Sequence, residues 1–221
     1  MNLALFDLDN TLLAGDSDFQ WGQFLMEEGL LDRELHQAKN IQFYEDYKQG
    51  VLDINAFLDF QLKPLSLHPR AQLDALHVRY MEKKIRPMMT EKAIALVEKH
   101  RANGDLLLII TATNSFVTTP IARAFGVENL IGTTPEEING EFTGRVTGTP
   151  SFQQGKITRL NEWLSARGET LTDFAATWFY SDSHNDLPLM QLVNYPVAVD
   201  PDETLKAYAD EKNWPVISLR D

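Results

Sequence analysis

The chain has no cysteine, which removes disulfides, thiolate metal ligands and cysteine nucleophiles from consideration. That absence fits a reducing compartment, and the cytoplasm is the expected location. No apolar run approaches the roughly 18 residues needed to cross a bilayer. The chain enters an apolar segment at Leu3 without a charged leader or cleavage site, so neither a membrane span nor a secretion signal is expected. Basic residues are few: 20 Lys and Arg stand against 32 Asp and Glu, a formal net charge of -12. No basic stripe is available to neutralise a phosphate backbone, so nucleic acid and anionic membranes are not expected partners. The densest basic stretch, Lys83-Lys84-Ile85-Arg86 before Pro87, reads as the last turn of a helix, where cations complement the dipole.

Glycine is sparse between 16 and 86, where only Gly22, Gly29 and Gly50 occur, and apolar residues there follow helical spacing. The expectation is a four-helix insertion, with breaks near 29–32, 50–53 and 64–69, whose aromatics (Phe19, Trp21, Phe24, Phe43, Tyr44, Tyr47, Phe57 and Phe60) mostly form its core. After Pro87 the texture alternates: a helix over 91–102, an apolar strand over 106–110, a helix over 116–125 and a short strand at 130–131. An Asn139-Gly140 hairpin follows, then a helix over 156–166, a strand over 175–180, a helix over 186–192, a strand over 196–199, a helix over 202–211 and a last strand over 216–219. Alternation of this kind implies α/β architecture with a doubly wound, parallel, Rossmann-like sheet. The expected division is a core of 1–15 and 87–221 with a helical-bundle cap of 16–86, a size the 221 residues accommodate.

The most informative segment is Leu3-Ala4-Leu5-Phe6-Asp7-Leu8-Asp9-Asn10-Thr11, an apolar run that delivers two carboxylates and a hydroxyl at its end. Ligands of open parallel sheets bind beyond the carboxyl ends of the strands, so Asp7 and Asp9 fall where chemistry is expected. A single acid would suffice to cap a following helix. Three more sites fall at strand ends or helix starts: Thr111-Ala112-Thr113 after Ile110, Lys156 after Gly155, and Asp182-Ser183-His184-Asn185-Asp186. Each taken alone reads equally well as a cap or a solvated charge; their meeting in one crevice does not. Converging carboxylates repel one another and are driven to protonate. A hard divalent cation resolves the conflict, and Mg2+ suits a few carboxylates, water and phosphate oxygens. Thr111, Lys156 and backbone amides then serve a phosphoryl group.

The order Asp7-x-Asp9-x-Thr11, Thr111, Lys156, Asp182-xxx-Asp186 resembles the haloacid dehalogenase superfamily in its phosphatase branch. The helical insertion is similar to the small cap of the phosphoserine phosphatases. The resemblance implies that Asp7 attacks phosphorus to form an aspartyl phosphate, and that Asp9 protonates the leaving alcohol and later activates water. It implies that Asp7, the backbone carbonyl of Asp9 and Asp182 ligate Mg2+, with Asn185 and Asp186 acting mainly through water, and that Thr11 supports the loop while Thr111 and Lys156 hold the phosphoryl group. Phosphoserine phosphatases typically carry Ser-Gly-Gly where this chain has Thr111-Ala112-Thr113. The resemblance is nearer to bacterial relatives, some of which act on histidinol phosphate. The implied substrate is a small phosphomonoester, an amino alcohol phosphate first. Asp16 is either a contact for the substrate amine or the cap of the next helix.

Two competing readings follow from the same residues. A phosphate-binding NTPase loop ending at Gly155-Lys156 would need Gly at 150 and Ser or Thr at 157, where Pro150 and Ile157 stand. A phospho-accepting signalling module also joins acids, a Thr and a Lys, but lacks a helical insertion after its first strand. Lys39, Lys48 and Arg70 are expected on solvated faces, and His184 as a bystander. The sequence does not fix the oligomeric state.

Overall fold

A computed structural model describes residues 1–220. Its centre is a seven-stranded sheet in the order β4-β3-β2-β1-β5-β6-β7. The strands are β1 (Leu3–Phe6), β2 (Leu106–Asn114), β3 (Asn129–Ile138), β4 (Glu141–Thr147), β5 (Thr177–Ser181), β6 (Tyr195–Val199) and β7 (Val216–Ile217). All pairs are parallel except β3 with β4, which are joined at Asn139-Gly140. Both residues of that turn have positive φ, the requirement of a tight hairpin turn that Asn-Gly meets at least cost.

β1 is the central strand and all four of its residues are fully buried. Its side chains alternate between two apolar layers. Ala4 and Phe6 join the layer that holds α1 (Ser17–Glu27), α4 (Arg70–Tyr80), α5 (Glu91–Ala102) and α6 (Ser115–Ala124). Leu3 and Leu5 join the layer under α7 (Gln154–Ala166), α8 (Leu187–Met190) and α9 (Glu203–Lys212). Burial on both faces is why β1 reads as an uninterrupted apolar run.

The segment between β1 and α5 contains α1, α2 (Arg33–Lys48), α3 (Ile54–Leu62) and α4, and the first three begin at Asp16, Asp32 and Asp53, whose carboxylates accept from backbone N–H groups of the first turn. α3 and the turn 63–67 pack on β4, tying this segment to the sheet's hairpin.

Several boundaries differ from the sequence pattern. β2 continues past Ile110 to Asn114, with a register shift against β3, so Thr111 and Thr113 lie within the strand rather than after it. Threonine suits an extended backbone, and apolar periodicity gave no signal for that extension. β3 runs unbroken into the hairpin, α8 is a single turn, and β7 is two residues long. The expectation that the aromatics form a bundle core is overturned. Trp21 and Phe24 are buried, whereas Phe19, Phe43, Tyr44, Tyr47, Phe57 and Phe60 are only half-buried. Asn40 is the sole buried residue of the sixteen in α2, so its aromatic face borders a cavity instead of a packed interior.

Candidate active site

The carboxyl ends of β1, β2 and β5 bring the sequence-expected groups to one place. Asp7 directly follows β1 and its N–H donates to Tyr180 O at 2.9 Å, fixing it to the neighbouring strand. The chain then turns sharply through 8–13, with Leu13 N–H returning to Leu8 O at 2.9 Å and Asn10 at φ 55°. A distant residue braces this turn: the Arg220 guanidinium donates to the carbonyls of Asn10, Thr11 and Leu13.

Asp7 is 3 % exposed. Lys156 Nζ donates to Asp7 Oδ1 at 2.8 Å and to Asp186 Oδ2 at 2.7 Å, and the ammonium is itself 2 % exposed. Burial pushes the Lys156 ammonium down, but the Asp186 and Asp7 carboxylates more than offset that and hold it above its ordinary range. Burial raises Asp7 to about 7, against the lowering effect of Lys156 and with Asp186 and Asp9 adding repulsion. The turn before α7 that aims Lys156 is tight: Gln153 has φ 47°, and a Cβ on Gly155 would lie 2.0 Å from Pro150 O.

Thr11 joins Asp7 to Asp182. Its hydroxyl lies 3.2 Å from Asp7 Oδ2 and 2.9 Å from Asp182 Oδ1, and accepts from Asp182 N–H at 3.0 Å. Desolvation and the Asp7 charge raise Asp182 well above the usual carboxylate range. No group of three or more His, Asp or Glu side chains clusters like a metal site among the described residues. Two carboxylates with a backbone carbonyl would not form such a cluster, and that is the donor set the sequence suggests. Lys156 pairs with Asp7 and Asp186 but not with Asp182, so the chemistry fits a hard cation between Asp7 and Asp182.

Asp9 is held differently. Its Oδ1 accepts Ser17 N–H at 2.6 Å, and its Oδ2 accepts the hydroxyls of Thr111 at 3.2 Å and Thr113 at 2.8 Å. Thr111 was expected in the site; Thr113 was named only as part of the same short motif, and Ser17 carried no sequence signal.

Asp186 accepts Lys156 and the Ser181 hydroxyl, both at 2.7 Å. Asn185 donates to Tyr47 O at 3.1 Å and accepts Gln153 Nε2 at 2.9 Å, linking the acidic loop to the end of α2 and to the turn before α7. His184 stands outside the chamber lining and is held structurally: its backbone N–H and ring Nδ1 lie 2.7 and 2.8 Å from Asp202 Oδ2. Its other ring nitrogen sits where a Cβ on Gly50 would be, 2.5 Å away.

A chamber opens above these carboxylates, between the sheet edge and α1–α3. Asp7, Asp9, Thr111 and Thr113 line its floor, and Phe19, Phe43, Tyr44, Tyr47 and Phe57 its walls. Asp16 and Asp18 also border it. Asp16 caps α1, accepting Phe19 N–H at 2.8 Å, and burial with the Asp9 charge raises it to about 7. Asp18, 4 % exposed, is raised well above the carboxylate range by burial, then by Asp16 and Asp9. Lys39, Lys48 and Arg70, expected on solvated faces, are absent from the chamber lining; Lys48 pairs with Glu45, and Arg70 with Asp74 and Glu137.

Comparison with known proteins identifies the family. Residues 4–191 match the model of the haloacid dehalogenase-like hydrolase family. A histidinol-phosphatase of Neisseria meningitidis serogroup C is 49 % identical over 220 residues, covering 99 % of each chain. A Bordetella pertussis Tohama I protein of unknown function is 47 % identical, with a TM-score of 0.94 and 99 % of both chains covered. A phosphoserine phosphatase holding an analogue of a phospho-aspartyl intermediate shares the fold, with a TM-score of 0.68 at 18 % identity, over 99 % of this chain and 93 % of that one. No helix among the described residues is long and apolar enough to cross a membrane. The chain belongs to the haloacid dehalogenase-like hydrolase family, and the enzyme is a phosphatase.

Proposed function

We propose that the enzyme hydrolyses a small amino alcohol phosphate, histidinol phosphate first, through an aspartyl phosphate on Asp7, with the helices of 16–86 acting as a cap over the core of 1–15 and 87–221. The observation that carries this reading is the contrast between two carboxylates two residues apart. Asp7 is buried against the Lys156 ammonium, whereas Asp9 is half-exposed and held by three neutral donors. Different environments assign different roles to paired acids. Asp7, enclosed beside the Lys156 ammonium, is assigned the nucleophilic role. Asp9, outside that ion pair and bordering the chamber, is assigned the proton transfers.

Asp7 Oδ attacks phosphorus as the ester oxygen departs, taking the proton of Asp9. Asp9, now a carboxylate, accepts a proton from the water that attacks the phosphoenzyme, and Asp7 and inorganic phosphate are released. One group thereby serves as acid and then as base. Lys156 and the Thr111 hydroxyl neutralise and hold the transferring oxygens. Thr11 keeps Asp7 and Asp182 apart at a fixed spacing. Asp7, Asp182 and the Asp9 carbonyl would hold Mg2+, which when bound neutralises phosphate charge and screens the two carboxylates from each other. Asp186 fixes Lys156, and Asn185 fixes the loop against α2.

The chamber chemistry supports histidinol phosphate over phosphoserine. Asp16 and Asp18 suit an ammonium, and no Lys, Arg or His lines the chamber among the described residues, so a substrate carboxylate would find no cation there to offset the surrounding acids. The 49 % identical relative is a histidinol-phosphatase. The test is continuous phosphate release with histidinol phosphate, phosphoserine and a sugar phosphate in Mg2+. Catalytic turnover favouring histidinol phosphate is expected, with Asp7→Asn folded and inactive. One equivalent of phosphate taken up without release would instead assign a phospho-accepting module, and near-normal turnover by folded Asp7→Asn would refute the nucleophile.

A further inference from the structure

The chamber wall contains a buried polar pair that the phosphoryl chemistry does not use. Asn40 on α2 is 3 % exposed and Gln61 on α3 is 6 % exposed, and both border the chamber among aromatic rings. Buried amides amid apolar surface are costly unless their hydrogen-bonding capacity is used. Their orientation follows from one fixed group. The Phe19 carbonyl can only accept, so it takes Asn40 Nδ2, at 3.2 Å. That turns Asn40 Oδ1 towards Gln61, whose Nε2 donates to it at 3.4 Å. The chain of bonds therefore leaves Gln61 Oε1 as an acceptor to which no hydrogen bond is made among the described residues, at a side chain that borders both the chamber and a smaller cavity beside Trp21. α1 accommodates the arrangement at Gly22, where a Cβ would come within 3.0 Å of Asn40 Nδ2.

We infer that Gln61, oriented by Asn40, is the specificity-determining acceptor for a ring N–H of the substrate, so that the chamber selects an amino alcohol phosphate bearing a flat, N–H-donating heteroaromatic ring. The inference rests on the amino alcohol phosphate reading above. Phe19, Phe43 and Phe57 line the same chamber and offer aromatic surface on which a ring could pack. A single acceptor of fixed sense then separates a ring with an N–H from one without it. A site built to hydrogen-bond a donor discriminates more sharply than an apolar pocket does, because a ligand lacking the donor leaves a buried acceptor unpaired. Asp16, which also borders the chamber, lies close enough to Asp9 to feel its charge.

The experiment compares wild type with Gln61→Met, which keeps the side chain's length and removes the acceptor. Each is assayed with histidinol phosphate and with phosphoethanolamine, which carries the amine and no ring. The ratio of kcat/KM for histidinol phosphate to that for phosphoethanolamine should fall about tenfold in Gln61→Met, as expected for one buried hydrogen bond, with the loss in KM rather than kcat. An unchanged ratio in a variant whose wild-type parent prefers histidinol phosphate overturns the assignment of Gln61 alone, whether both activities fall together or neither moves. A wild-type enzyme that turns over phosphoethanolamine and ignores histidinol phosphate overturns the substrate reading and the ring inference together.

Discussion

Lys156 shows how a surface-type residue becomes part of an interior at the scale of one side chain. Its ammonium is surrounded by two carboxylates within 2.8 Å, and all three groups are almost wholly buried. Removing one member of such a set leaves charges without compensation, which costs about 3–5 kcal/mol. Lys156→Met should therefore lose activity and also melt lower at pH 8, by roughly 10 °C for a domain of this size. Part of that loss should return at pH 5, where the orphaned Asp7 carboxyl, raised by burial, takes up a proton. Calorimetry at the two pH values decides the matter; a variant as stable as wild type at pH 8 would place the lysine outside the buried network. The residues legible in the sequence were those whose chemistry stands out at a strand end: Asp7, Asp9, Thr111, Lys156 and Asp182. Thr113, Asp18 and Gln61 were not, since a threonine inside a strand, an acid in a first helical turn and a glutamine on a helix all have ordinary structural uses. Arg220 was equally silent, because only the fold brings it to the turn after Asp7.

At the scale of an element, the turn entering α7 must deliver Lys156 to its partners. Gln153 occupies positive φ there, a strained position for a residue with a side chain, and its amide is engaged by Asn185. Gly155 packs against Pro150 O so closely that any side chain would displace backbone. Gly155→Ala should shift the start of α7 and lower kcat by about 100-fold, the scale associated with misplacing a catalytic group by about 1 Å. Far-ultraviolet circular dichroism should remain native-like, because the rest of α7 is anchored by Leu160 and Leu164 in the core. Unaltered kcat would mean that the turn absorbs the methyl group without moving the lysine. Elements with strong periodicity, such as β1 and α5, were legible because both faces or one stripe must be apolar. The aromatic residues of α2 and α3 misled for the same reason: helical spacing marks a non-solvent face, and a chamber wall satisfies it as well as a packed core does.

Over the whole molecule, the folded state concentrates carboxylates around one cavity in a chain that already carries a net charge of -12. Asp7 and Asp16 stand at about 7 in the fold against an ordinary 3.8, chiefly through burial, and Asp18 and Asp182 are also raised. Between about pH 4 and 7 the folded protein thus binds more protons than the unfolded chain. Stability must fall as pH rises through that window, since the slope follows the protons bound by the unfolded state minus those bound by the folded one. Glu28, half-buried, and Asp173, exposed, shift the opposite way through local hydrogen bonds, and their influence lies below about pH 4. A divalent cation binding between Asp7 and Asp182 would favour their ionised forms and oppose the decline. Metal-free protein in chelator should therefore melt several degrees lower at pH 8 than at pH 5.5, and Mg2+ should raise the melting temperature more at pH 8 than at pH 5.5. A Mg2+ effect of equal size at both pH values would separate metal binding from these carboxylates, and a chelated protein that gains stability from pH 5.5 to 8 would contradict the charge balance of the cavity itself.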